Sequence, residues 1–212
     1  MKPVSRALAA AALCASLFAT GASAATPDLL LTGGTVTDLT PSSVHFDPNW
    51  MAGFKASDFD LHQVVEGATL HLNGTANLTY TFVGKEAGYT NVFKSFYSGY
   101  GGAFQQIEGA TGNLGQSISF TNVVNSALHF GFLSNGVGSL FKNTNENVAV
   151  TLSSDKKSAL IFFNDACACD KDYDDMVVRV SISPVPEPET FGMLLAGLGL
   201  MGAVVRRRRT NA

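Results

Sequence analysis

The chain has 212 residues, 46% of them hydrophobic and 15% charged, with a formal net charge of −3. That apolar share, with 15 Phe in the chain, is enough to build a packed core and argues against disorder. Between the two ends, residues 25–185 hold 15 Asp and Glu against 8 Lys and Arg, a balance of −7, and such a surface repels phosphate backbones and excludes nucleic acid as a partner.

In chain order the first element is a secretory signal: Lys2 and Arg6, an apolar run from Ala7 to Ala19, and the small-residue site Ala22-Ser23-Ala24. A signal helix removed after Ala24 is expected, because the apolar run is too short for a permanent span. Export would carry the rest of the chain into an oxidising exterior. Residues 26–63 are rich in Thr, Ser, Asp and Pro, with scattered aromatics such as Phe46, Trp50 and Phe59. They read as loops and short strands laid over a core.

From about residue 64 the hydrophobic period becomes two. In "NLTYTFVG", Leu78, Tyr80 and Phe82 alternate with Thr79, Thr81 and Val83, which predicts a strand with an aromatic-aliphatic inner face and a β-branched outer one. The same test predicts strands over Ala68 to Leu72, Thr90 to Phe96, Ser117 to Asn122, Ala127 to Leu133, Val148 to Leu152, Ala159 to Phe163 and Met176 to Ile182. Turn-forming stretches such as "LNGTAN", "SGYGGAF" and "GATGNLGQ" separate them. Eight short strands with almost no amphipathic helical window predict an all-β fold, an antiparallel β-sandwich of jelly-roll or immunoglobulin-like type over residues 25–183. Tyr97, Tyr100 and Phe104, just beyond the third of these strands, suit either the core or a sugar-stacking platform at the sandwich edge, core being the commoner fate of aromatics.

"FFNDACACDKDYDDMVVRVSIS" follows. Asp165, Asp170, Asp172, Asp174 and Asp175 crowd between two strands, and alternating carboxylates on a tight loop suit a hard cation such as calcium, which takes six to eight oxygens. A solvated acidic turn is the alternative. An EF-hand is excluded, because Asp175 and Ser181 stand where its glycine and terminal glutamate belong. The run "DKDYDDMVVRV" also resembles a D-x-D-[YF]-[ND]-D-[LMV]-V signature near the end of exported bacterial β-domains, and that resemblance implies calcium. Cys167 and Cys169 stand where glycine or serine is more usual. Residues two apart in a strand lie about 6.5 to 7 Å apart, so a disulfide between them requires a turn. A strained local disulfide is the favoured reading, with free thiols or a soft-metal pair as alternatives.

Catalytic patterns are missing from the sequence: His45, His62, His71 and His129 are scattered, and neither G-x-S-x-G nor H-E-x-x-H occurs. The expectation is a non-enzymatic protein; the competing class is a secreted hydrolase acting on extracellular polysaccharide.

The last element is "VPEPETFGMLLAGLGLMGAVVRRRR". Residues 191–205 carry no charge and stop at Arg206, Arg207, Arg208 and Arg209. A single membrane helix over residues 190–205 is expected, although 15 uncharged residues rise on the order of 22 Å against a hydrocarbon layer of about 30 Å. The arginines would stay on the cytoplasmic side. "GLGLMG" matches the dinucleotide fingerprint only in spelling, since no strand-helix-strand unit surrounds it. Its glycines suit close packing against a partner helix. Pro184, Pro186 and Pro188 lack an amide donor, and the stretch is expected to stand apart from both the last strand and the helix. The order Pro186-Glu187-Pro188, apolar stretch, arginine cluster resembles the PEP-CTERM sorting signal of exported Gram-negative proteins, over residues 184–212. The resemblance implies recognition by an integral-membrane protease-transpeptidase, the exosortase. It also implies a transient stay in the inner membrane, then delivery to the cell surface or an extracellular polysaccharide matrix.

Overall fold

A computed structural model of the full chain describes residues 26–39, 56–85, 90–97, 104–134, 140–165, 173–185 and 188–210. The expected signal helix, with Ala22 and Ala24, lies outside them. In chain order the strands are β1 (Asp28–Thr32), β2 (Thr35–Thr37), β3 (Val64–Glu66), β4 (Thr69–Asn73), β5 (Ala76–Gly84), β6 (Val92–Ser95) and β7 (Gln105–Glu108). There follow β8 (Ser117–Val123), β9 (Ser126–Ala127), β10 (Phe130–Leu133), β11 (Leu140–Lys142), β12 (Val148–Leu152), β13 (Ser158–Phe163) and β14 (Met176–Pro184), and then one helix, α1 (Pro188–Thr210).

The strands pair antiparallel in three sheets: a seven-stranded sheet in the order β2-β3-β12-β13-β14-β5-β8, a four-stranded sheet β11-β10-β6-β7 and a three-stranded sheet β1-β4-β9. Seven of the eight strands expected from periodicity are present as single strands, within a residue or two at their ends. Five more were not legible as separate strands. β2, β3, β7 and β11 are three or four residues long and carry no clear alternation, and β1 is "DLLLT", three leucines in a row. The stretch Ala127 to Leu133 is two strands, not one. Ser126–Ala127 pairs with β4 in one sheet, and Phe130–Leu133 pairs with β6 and β11 in another.

Asn143 holds this change of sheet. Its Oδ1 accepts from the Leu70 amide at 2.9 Å, and its Nδ2 donates to the carbonyls of Leu70 at 3.0 Å and Leu128 at 2.8 Å. A side-chain amide thus supplies the bonds that a missing ladder would have made.

The main core collects residues from all three sheets. Leu78, Tyr80 and Phe82 of β5 meet Phe93 of β6, Phe132 of β10, Phe163 of β13 and Leu70 and Leu72 of β4, all 0% exposed. The rings interlock: Phe93 and Phe132 meet edge-on at 5.2 Å between centroids, and Phe132 stacks on Phe163 at 4.7 Å. Offset and edge-on contacts of this kind add to the burial of area itself. The hydroxyls of Tyr80 and Tyr97 satisfy each other at 3.0 Å, and burial pushes the Tyr97 phenol up to about 12 and the Tyr80 phenol well above its ordinary value.

A second cluster covers the other face of the large sheet with Leu39, Phe59, Leu61, Leu160, Phe162, Tyr173 and Val177. This layer corrects one expectation. Val83, assigned to an outer face, is 2% exposed and belongs to that cluster. The β14–β5 register shifts between Val177 and Val178, and the end of β5 is buried on both sides.

Candidate functional site

Two places converge on chemistry: the turn between β13 and β14, and the tail beyond β14. β13 runs out through Asn164 and Asp165, and the chain is described again from Tyr173 through Asp175 into β14. Asp165 and Asp174 are 6% and 1% exposed, so these carboxylates are not a solvated fringe. The Asp165 amide donates to Asp175 Oδ2 at 2.6 Å, Phe163 and Asp174 form a parallel bridge, and Asn91 Nδ2 donates to the Asp175 carbonyl at 3.3 Å.

Among the described residues, three buried oxygens have no hydrogen-bond partner: Asp165 Oδ2, Asn164 Oδ1 and Asn91 Oδ1. Buried polar atoms are nearly always satisfied, and an orphaned one costs about 1–3 kcal/mol, so each of the three calls for a donor. Tyr173 occupies the left-handed region at φ 61°, a strained position for a bulky residue that persists only where its surroundings hold it. Its ring is buried in the second cluster and its hydroxyl donates to the Glu146 carbonyl at 2.9 Å. Burial first, then the Glu66 carboxylate, push its phenol well above the ordinary range.

Asp170, Asp172, Cys167 and Cys169 lie outside the described residues. Among the described residues, no three His, Cys, Asp or Glu side chains gather around a point that would hold a metal. Asp165, Asn91 and Asn164 each carry an unbonded oxygen of the kind calcium prefers. Neither Asn91 nor Asn164 stands out in the sequence. Asn91 lies 84 positions from the Asp175 carbonyl it bonds, and only the fold brings them together.

The histidines are spread. His62 Nδ1 sits 2.8 Å from Asp38 Oδ1 at the surface, His71 Nε2 is 2.9 Å from Thr32 Oγ1, and His129 meets the Tyr97 ring edge-on at 5.9 Å. His45 is outside the described residues.

At the tail, β14 continues through Pro184, paired with Ala76 of β5, and α1 begins at Pro188. The prolines therefore do join both elements, contrary to expectation. β13 pairs with β14 only as far as Ser181, so among the described residues no strand on that side asks Pro184 for a donor. At the first turn of a helix the amide that Pro188 lacks would be unbonded anyway. Pro186 and Glu187, between them, are outside the described residues.

α1 is 23 residues long, yet no helix among the described residues is long and apolar enough to cross a membrane. The membrane span expected over residues 190–205 is corrected to that extent: the helix forms, but its uncharged part is short and the arginine end is strongly polar. Among the described residues its apolar side chains find no cover. Met193, Leu194, Leu195, Leu198, Leu200 and Met201 are 54 to 68% exposed, and a Cβ at Gly197, Gly199 or Gly202 would meet nothing within 4 Å. Arg206 and Arg207, at the C-terminal end, complement the helix dipole.

The PEP-CTERM protein-sorting motif is found at residues 184–209, spanning the end of β14, the Pro-Glu-Pro triplet, α1 and the arginine cluster Arg206 to Arg209. No curated protein and no solved structure matches the chain. The motif implies export, processing by the membrane enzyme exosortase, and membrane-associated sorting to the cell surface.

Proposed function

We propose that this exosortase substrate is a non-enzymatic structural or binding protein of the cell surface or extracellular polysaccharide matrix, with its large sheet layered on the two smaller ones as a sandwich and its acidic turn stabilised by calcium. The observation that carries the reading is the tail: a helix with exposed apolar side chains, directly after the last strand and ending in arginines, within the matched sorting motif. Exposed apolar surface of this extent marks a lipid or protein contact. α1 would lie against the membrane, its exposed apolar side chains toward lipid and its arginines toward the headgroups. Pro186, Glu187 and Pro188 would then lie at the membrane surface, within reach of the enzyme.

Calcium is supported by the buried, unbonded oxygens of Asp165 and Asn91, whose amide groups bond Asp175. Asp165 would supply a carboxylate, Asn91 and Asn164 neutral amide oxygens, and Asp170 and Asp172 the further carboxylates of the same turn. The ion would neutralise charges that otherwise repel at short range.

Intact mass measurement of the surface form in its host tests the sorting claim. The expected mass corresponds to a chain that begins after Ala24 and lacks the residues beyond the Pro-Glu-Pro region. A surface form that retains Arg206 to Arg209 would refute processing. Turnover of matrix polysaccharide by the purified chain would replace the structural reading with the hydrolase one.

A further inference from the structure

A cavity of about 190 Å³ opens on the four-stranded sheet, lined among others by Phe96, Phe104, His129, Leu140 and Lys142. It is below the ~300 Å³ at which sites for drug-sized ligands begin, so it fits one small ring and not an extended ligand. Phe96 and Phe104 stand 5.5 Å apart between centroids and are tilted by 47°, packed together as one aromatic wall. Phe104 is 58% exposed, with no part of the described chain laid over it. The Phe96 amide donates to the His129 carbonyl at 3.1 Å, and the Tyr97 hydroxyl meets the His129 amide at 3.3 Å, so the aromatic wall and the imidazole are fixed relative to each other. Gly131 shapes the opposite wall. A Cβ there would come within 2.9 Å of Leu140 Cγ, and its absence lets Leu140 lie across β10.

The charge at this rim is the reverse of the surface around it. In a region with 15 acidic against 8 basic residues, this cavity presents Lys142 and no carboxylate among its lining residues. Aromatic faces take the C–H face of a sugar ring, and an ammonium at the edge takes an anionic substituent.

We propose that this cavity binds a pyranose ring bearing a carboxylate, a uronate unit of a polysaccharide, with the ring against Phe104 and Phe96 and the carboxylate toward Lys142. The inference rests on the matrix reading above and names its ligand class.

Binding is measured by calorimetry on the full chain in mild detergent, with an oligogalacturonate and a neutral maltooligosaccharide of equal length as probes. Saturable oligogalacturonate binding is expected, with the neutral sugar about fivefold weaker, the upper range of one exposed ion pair. Phe104→Ala should weaken both sugars about tenfold, and Lys142→Gln should weaken only the acidic one and remove the preference. Both side chains are exposed, and unchanged melting temperatures confirm that the variants fold. The proposal is overturned by a folded chain with no saturable oligogalacturonate binding, by equal affinity for both sugars, or by affinities that neither substitution changes. Surface retention in the host without sugar binding defeats this inference alone; sugar binding by a chain that stays unprocessed in the host defeats the sorting reading alone.

Discussion

Leucine has two opposite fates in this chain. Leu29, Leu70, Leu72 and Leu78 are 0% exposed within the three sheets, whereas Leu194, Leu195, Leu198 and Leu200 on α1 are 54 to 68% exposed. In the strands, apolar residues recur with the pleat and face a layer that the same chain supplies. On α1 they surround the axis, and nothing in the described chain covers them. The first set stabilises a fold; the second stabilises nothing until a bilayer or a partner helix arrives. The two regions are therefore separable: damage to the core should be read in the melting curve, and damage to the tail in where the protein goes.

The strongest blow to the sheet region is Phe132→Ala, which removes a fully buried ring between Phe93 and Phe163 and should cost about 3–5 kcal/mol in denaturant unfolding. Calcium comes next. At a free concentration 100 times the dissociation constant it should add about 2.7 kcal/mol to stability, and Asp165→Asn should abolish most of that gain; a melting temperature indifferent to both calcium and EDTA would count against the ion.

Asn143→Ala removes three hydrogen bonds at the change of sheet and leaves the Leu70 amide unpaired, with an expected loss of about 2 kcal/mol. Another effect is confined to alkaline pH. Because the folded Tyr97 phenol is raised to about 12 from an unfolded value near 10, its contribution is fully present below pH ~10 and is lost as pH rises toward 12. Phenolate absorbance should therefore lag behind that of a free tyrosine, and Tyr97→Phe should flatten the alkaline limb of the stability curve. Deleting residues 188–212 should leave the melting temperature unchanged while the protein no longer fractionates with membranes. A large destabilisation would show that α1 packs on the sheets after all.

Much of this contrast was readable in advance. Alternation at Leu78, Tyr80 and Phe82 located the longest strand and its buried face, since a side chain's face in a strand depends only on its own position. The tail was equally legible, being a linear signature of triplet, apolar run and arginines. The burial of Val83 was not, because it depends on a second hydrophobic layer contributed by residues far along the chain. The helix start at Pro188 was not legible either: the Pro184, Pro186 and Pro188 stretch was expected to stand apart from the helix, whereas the first helical turn tolerates proline.

From sequence alone came the β class, the alternating faces and the sorting tail, all properties carried by neighbours in the chain. Only the tertiary structure decided that the strands divide over three sheets, that Ala127 and Phe130 belong to different ones, and that Asn91 lies beside the acidic turn. Periodicity tells a strand which way its side chains point and says nothing of which backbone it will bond. That choice is made by long-range pairing, where Asn143 meets Leu70 across 73 positions and Phe96, His129 and Lys142 come to share one cavity.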